Sequence, residues 1–160
     1  MKLLHLTALF LPILSACTSG PIAKAILDEE VSRLCKIDGG IRVYETVMLP
    51  PEKFNKRGSI NFNIPKKEKA KDEDEYFFEW RIEILKKDTP SLSRSRYKII
   101  RRNDDKTLGE SIRYSRGGGD FPGPWQGSSF SCPDPTDPPS LEESIFFRGE
   151  NDLLLTFRTS

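Results

Sequence analysis

Histidine is almost missing from this 160-residue chain: His5 is the only one, and it sits inside an N-terminal apolar segment. If processing removes that segment no imidazole remains, which excludes Ser-His-Asp and Cys-His catalysis and His-ligated zinc. An excess of one charge is missing as well. Twenty-five Lys and Arg stand against 24 Asp and Glu, and without Lys2 the two are equal. That balance lacks the net basic footprint of a nucleic-acid binder. Long apolar runs are limited to Leu3–Leu14. As a helix this run spans about 18 Å at ~1.5 Å per residue, against ~30 Å of bilayer hydrocarbon. It is too short to cross a membrane and suits the apolar core of a signal sequence.

The residues at the end of the run are more specific. Leu14-Ser15-Ala16-Cys17 sets two small residues before a cysteine, behind a basic start at Lys2. This arrangement is similar to the processing signal of bacterial lipoproteins. The resemblance implies that residues 1–16 are a signal peptide and that Cys17 is lipidated, carrying a diacylglycerol and an amide-linked acyl chain of the palmitate kind. Two or more chains, at roughly 0.8 kcal/mol per buried methylene, give stable anchoring. Thr18 rather than Asp after the cysteine favours the outer membrane, with the body facing the periplasm. The competing reading is an ordinary signal peptide in which Cys17 is incidental. Residues 17–21 then form a tether, and 22–160 a single globular domain.

With Cys17 acylated, two of the three cysteines are left, Cys35 and Cys132. In an oxidising envelope compartment an even pair reads as a disulfide. The rival, a reactive thiol, needs a nearby cation to lower its pKa, and only Lys36 is adjacent in sequence.

Along the chain, Ile26, Leu27, Val31 and Leu34 recur at helical spacing, with Asp28, Glu29, Glu30 and Arg33 on the other side. This predicts a helix over 22–36, stopped by Gly39-Gly40. Ile41–Leu49 reads as one strand, with Glu45 either exposed or an inward charge at an edge. Ser59–Ile64 reads as a short strand, and the lysine-then-acid block 65–75 as a solvated loop. Tyr76–Lys87 alternates most cleanly, Phe78, Trp80, Ile82 and Ile84 on one face, and predicts a half-buried antiparallel strand. Arg94–Arg102 and Leu108–Arg116 flank the turn at 103–106 and read as a hairpin. Ser128–Cys132 is a brief strand, and Ser144–Arg148 with Leu153–Arg158 predict a C-terminal hairpin.

The loop Gly117-Gly118-Gly119-Asp120 to Trp125 is the candidate binding surface. Its glycines permit close backbone approach to another molecule, and Trp125 offers a ring for stacking or for filling a pocket. The structural alternative has Trp125 covering the core beside Cys35 and Cys132. The run lacks the Gly-Lys-Ser/Thr ending of a phosphate loop. Carboxylate pairs occur at Asp104-Asp105, Asp134 with Asp137, and Glu142-Glu143, but proximity in turns does not make a catalytic pair. Nor does Asp134-x-x-Asp137 have the ligand order of a calcium loop. No catalytic residue, metal or cofactor is predicted.

Two segments, CKIDGGIRVYETVMLP from Cys35 to Pro50 and GGGDFPGPWQGSSFSCP from Gly117 to Pro133, resemble parts of a group of small bacterial lipoproteins. That resemblance implies an envelope lipoprotein and brings no activity or catalytic residues with it. Each segment holds one of the two remaining cysteines, which fits their being joined. The expected fold is α+β: an N-terminal helix packed on a mostly antiparallel sheet of about five to seven strands, with one disulfide. The expected function is a non-enzymatic, membrane-anchored module that binds an envelope protein as an inhibitor, immunity or accessory factor. The alternative is a cell-wall or small-ligand module that uses the Gly117–Trp125 loop.

Overall fold

The N-terminal helix, α1 (Ser19–Asp38), begins earlier than its apolar periodicity implies. A proline is tolerated in the first helical turn, where its missing N–H has no partner to lose, so Pro21 extends α1 into the expected tether. The computed structural model describes residues 19–120 and 127–149. Cys17, Trp125 and the expected strand Leu153–Arg158 lie outside the described residues.

After α1 come β1 (Gly40–Val43), β2 (Val47–Leu49), β3 (Tyr76–Lys86), β4 (Ser91–Arg101), β5 (Lys106–Gly117), β6 (Ser129–Cys132), a short helix α2 (Leu141–Ile145) and β7 (Phe146–Arg148). The main sheet runs β1-β5-β4-β3, with β6 also paired to β5. β1 and β6 both lie antiparallel to β5, Gly40 opposite Ile112 and Tyr114 opposite Cys132. The fold is therefore α+β, a helix packed on a mostly antiparallel sheet and closed by the Cys35–Cys132 disulfide. β3, β4 and β5 each contribute one part to each of two compact units.

One unit comprises described residues 19–39, 82–95, 113–120 and 127–135. Leu27 and Val31 of α1 are buried in it, with Leu92 and Tyr114 from the strands. Asp38 accepts from the Tyr114 hydroxyl at 2.6 Å and from the Arg94 guanidinium. The Cys35–Cys132 bridge ties α1 to β6 in this unit. Two expectations for α1 are corrected. Ile26 is exposed, and Asp28 lies on the packed side, because an arginine of β5 supplies the partner a carboxylate needs there.

The other unit comprises described residues 40–81, 96–112 and 136–149. Its core gathers Leu49, Ile64, Tyr76, Ile99, Leu108, Leu141, Ile145 and Phe146. Phe62, Tyr76 and Phe146 meet ring to ring at 5.0 to 6.0 Å between centroids. α2 starts in a capping box: Ser140 Oγ accepts from the Glu143 N–H, and Glu143 accepts from the Ser140 N–H. The predicted single strand Ile41–Leu49 is two. Tyr44 and Glu45 both donate to the Leu108 carbonyl, which ends β1, and β2 then pairs in parallel with β7. Ser59–Ile64 is not a strand. Its one ladder contact is Ile60 opposite Phe54, although Ile60, Phe62 and Ile64 still turn toward the core. The first half of the expected C-terminal hairpin is also corrected, since Ser144 and Ile145 close α2 before β7 begins.

Candidate functional site

The expected binding loop is braced from beneath. Arg116, at the end of β5, is 2 % exposed and donates to Asp28 of α1 at 2.8 and 3.3 Å. Its other terminal nitrogen donates to the Gly118 carbonyl, the Ser128 carbonyl and Ser128 Oγ at 2.8 to 3.0 Å. One guanidinium thus joins both ends of the loop to the helix, a task suited to its planar array of donors. The Gly118 N–H closes the same base on the Ser128 carbonyl at 2.9 Å.

Asp120 sits just inside this base. It accepts from Lys24 Nζ at 2.8 Å, from the Ser128 N–H and from the Ser128 hydroxyl. These donors hold its carboxyl well below the usual carboxylate range, Lys24 first and then the Ser128 amide and hydroxyl. Gly118 and Gly119 have φ of 75° and 89°, a region that side chains strain to enter. A Cβ at Gly119 would stand 3.0 Å from Pro90, and one at Gly118 would stand 3.2 Å from Thr89. The close approach these glycines permit is therefore made to the turn between β3 and β4, within the chain.

Three of the paired carboxylates, Asp104, Glu142 and Glu143, are also occupied structurally. Asp104 accepts from Arg101, Glu142 from the Tyr97 hydroxyl at 2.8 Å, and Glu143 serves the α2 cap. Glu45, expected as an exposed or edge charge, contacts Lys106 and Arg101, and these two hold its carboxyl low. Glu110 of β5 carried no signal in the sequence beyond its place in a strand. It is buried, accepting from the Tyr44 hydroxyl at 2.7 Å with Arg96 at 3.5 Å and Arg42 at 3.7 Å. Among the described residues no group of three or more His, Cys, Asp or Glu could hold a metal ion. No described helix is long and apolar enough to cross a membrane.

An exposed apolar stripe lies on β3. Phe78 packs on Tyr97 at 5.0 Å between centroids, as a half-buried strand should. Beyond it the expectation fails: Trp80, Ile82 and Ile84, sharing the face of Phe78, are 51, 53 and 51 % exposed. β3 is also the last strand of its sheet. Its outer edge is covered at Phe78, whose N–H donates to the Pro65 carbonyl beside the Lys66 bridge. Since the N–H of Phe78 points outward, so do those of Trp80, Ile82 and Ile84, and no described segment pairs with them. Natural sheets commonly blunt such edges, and a contiguous exposed apolar stripe on one marks a contact surface.

Set against known proteins, the chain matches no family model, and no curated protein or solved structure shows significant similarity to it.

Proposed function

We propose that this protein is an envelope lipoprotein, held to the outer membrane through Cys17, whose folded body is a non-enzymatic protein-binding module. The observation that carries the binding part is the open segment of β3. Trp80, Ile82 and Ile84 present apolar side chains beside backbone groups that have no strand partner among the described residues. An extended segment of another chain added at such an edge gains main-chain hydrogen bonds and side-chain contacts together. The anchor rests on Leu14-Ser15-Ala16-Cys17 and on the likeness of the two cysteine-bearing segments to small bacterial lipoproteins. The cell-wall or small-ligand reading of the Gly117–Trp125 loop has less support, because Gly118, Gly119 and Asp120 are engaged within the chain.

The test is a photo-reactive amino acid placed at Ile84 in the full chain in bacterial membranes, with exposed Lys56 as the control site. A discrete adduct at Ile84 that is absent at Lys56 is expected. Equal or diffuse labelling at both sites would overturn the binding part. Cys17→Ala should release the chain from the membrane fraction, and retention there would overturn the anchor.

A further inference from the structure

Resting on that reading of β3 as a protein contact, we propose that its occupant is a second copy of this chain, paired antiparallel strand to strand about a two-fold axis at Ile82. The argument needs only the strand itself. Two identical strands paired antiparallel around one residue place side chains opposite one another in a fixed order, and that order is written in Trp80-Arg81-Ile82-Glu83-Ile84. Centred on Ile82, Trp80 faces the partner's Ile84, Arg81 faces the partner's Glu83, and Ile82 faces the partner's Ile82. Every contact then appears twice, as an isologous interface requires.

The neighbouring registers fail on charge. Centred on Arg81, the axis sets Arg81 against the partner's Arg81 and Glu79 against the partner's Glu83. Centred on Glu83, it sets Glu83 against the partner's Glu83. Like charges directly opposite are destabilising, whereas aromatic–β-branched and opposite-charge pairs are favourable. A centre at Trp80 would set Phe78 against the partner's Ile82 and Glu79 against the partner's Arg81, but the edge at Phe78 is taken by Lys66 and Glu79 is paired with Lys67. Of the centres the open edge allows, only Ile82 gives both favourable kinds together.

Hydrogen-bond parity agrees. The outward-pointing backbone groups belong to Trp80, Ile82 and Ile84, so these residues form the hydrogen-bonded pairs. Arg81 and the partner's Glu83 then fall at a non-hydrogen-bonded pair, where side chains approach more closely. Both charges are available. Arg81 is exposed, and the ion pair of Glu83 within its own chain is loose, 4.0 Å from an Arg94 whose closer carboxylate is Asp38. The Lys66 bridge at Phe78 limits the added ladder to the residues from Trp80 onward. So short a ladder makes a weak pair in solution, and tethering both copies to one membrane would raise their effective concentration.

The experiment uses the full chain in detergent and in membranes. Ile82→Cys should yield a disulfide-linked dimer on mild oxidation, because hydrogen-bonded pairs hold Cα atoms about 5.5 Å apart, within disulfide reach. Trp80→Cys or Ile84→Cys alone should not cross-link, since the identical positions then lie about 13 Å apart, but the two mixed should. The wild-type chain under the same oxidation is the control for Cys17. By sedimentation equilibrium, Arg81→Glu should weaken dimerisation about tenfold or more, and adding Glu83→Arg should restore it. Equal cross-linking at positions 80, 82 and 84, no dimer at any concentration, or a dimer indifferent to the charge exchange would each overturn the proposal. A discrete photo-adduct at Ile84 with the mass of a different protein would also overturn it, while leaving the protein-binding reading standing.

Discussion

Arg116 and Asp28 lie 88 positions apart in the chain, yet the carboxylate of one closes on the guanidinium of the other at 2.8 and 3.3 Å. Asp28 keeps partial access to water, whereas Arg116 has almost none. Removing the acid therefore leaves a buried cation without its counter-charge, a lesion that typically costs roughly 3–5 kcal/mol. Asp28→Ala should fall at the low end, about 3 kcal/mol, because three neutral oxygens still accept from Arg116. Urea denaturation measures it. The double variant Asp28→Leu with Arg116→Met should recover only part of the loss, because it removes the uncompensated charge but also the donors to the Gly118 and Ser128 oxygens.

The Cys35–Cys132 bridge spans 97 residues. In the chain-entropy model a loop of that length restricts the unfolded state by about 4–5 kcal/mol. Reduction, or Cys35→Ala with Cys132→Ala, should lower the urea midpoint correspondingly. An unchanged midpoint after complete reduction, verified by thiol titration, would contradict this.

Acid should loosen the base of the glycine loop. The folded-state pKa of Asp120 lies below its ordinary value of 3.8, so its contribution is complete above that value and is lost as pH falls below it. Asp120→Asn should be less stable than wild type at neutral pH, and the difference should shrink as pH drops under about 4. Stability against pH for the two proteins isolates this residue from other low-pKa carboxylates such as Glu45 and Asp104.

Gly109 on β5 has no room for a methyl group. A Cβ there would stand 2.9 Å from the Arg42 carbonyl oxygen and 3.1 Å from side-chain carbons of both Leu141 and Ile145. The carbonyl is held by the β1–β5 ladder and cannot retreat cheaply. Gly109→Ala should cost about 1–3 kcal/mol, the usual range for overpacking. Gly117→Ala is the contrast. Its nearest neighbour is Ser91 Oγ at 3.2 Å, the end of a side chain that can rotate, and its change should stay within about 0.5 kcal/mol. Thermal unfolding of the two variants compares them directly.

Much of the architecture was legible because periodicity reports secondary structure well. The helix and the four strands β3 to β6 follow from spacing and composition, and Cys35 with Cys132 is the pair expected if Cys17 is taken as the acylated residue. α2 also has a signal in the sequence, one that the strand expected over Ser144–Arg148 disregards: Ser140-x-x-Glu143 before an apolar residue is the written form of a capping box. The break at Tyr44–Thr46 was not legible. Strand-favouring aromatic and β-branched residues, Tyr44, Thr46 and Val47, continue through it, and what ends β1 is the Leu108 carbonyl of a distant strand. Of the candidate loop, the glycines were visible and their purpose was not, since Thr89 and Pro90 are neighbours only in space.

The amino-acid order alone determined that the chain opens on a helix and continues in the long strands β3 to β5. Only the folded arrangement decided that Glu110 and Arg116 go inside, with Asp28 half-buried against the latter, while Trp80, Ile82 and Ile84 stay out. Alternation states which side chains share a face, but covering that face is the work of whatever element arrives from elsewhere in the chain. A charge can be buried wherever such an element brings its counter-charge, and an apolar stripe stays wet wherever none arrives.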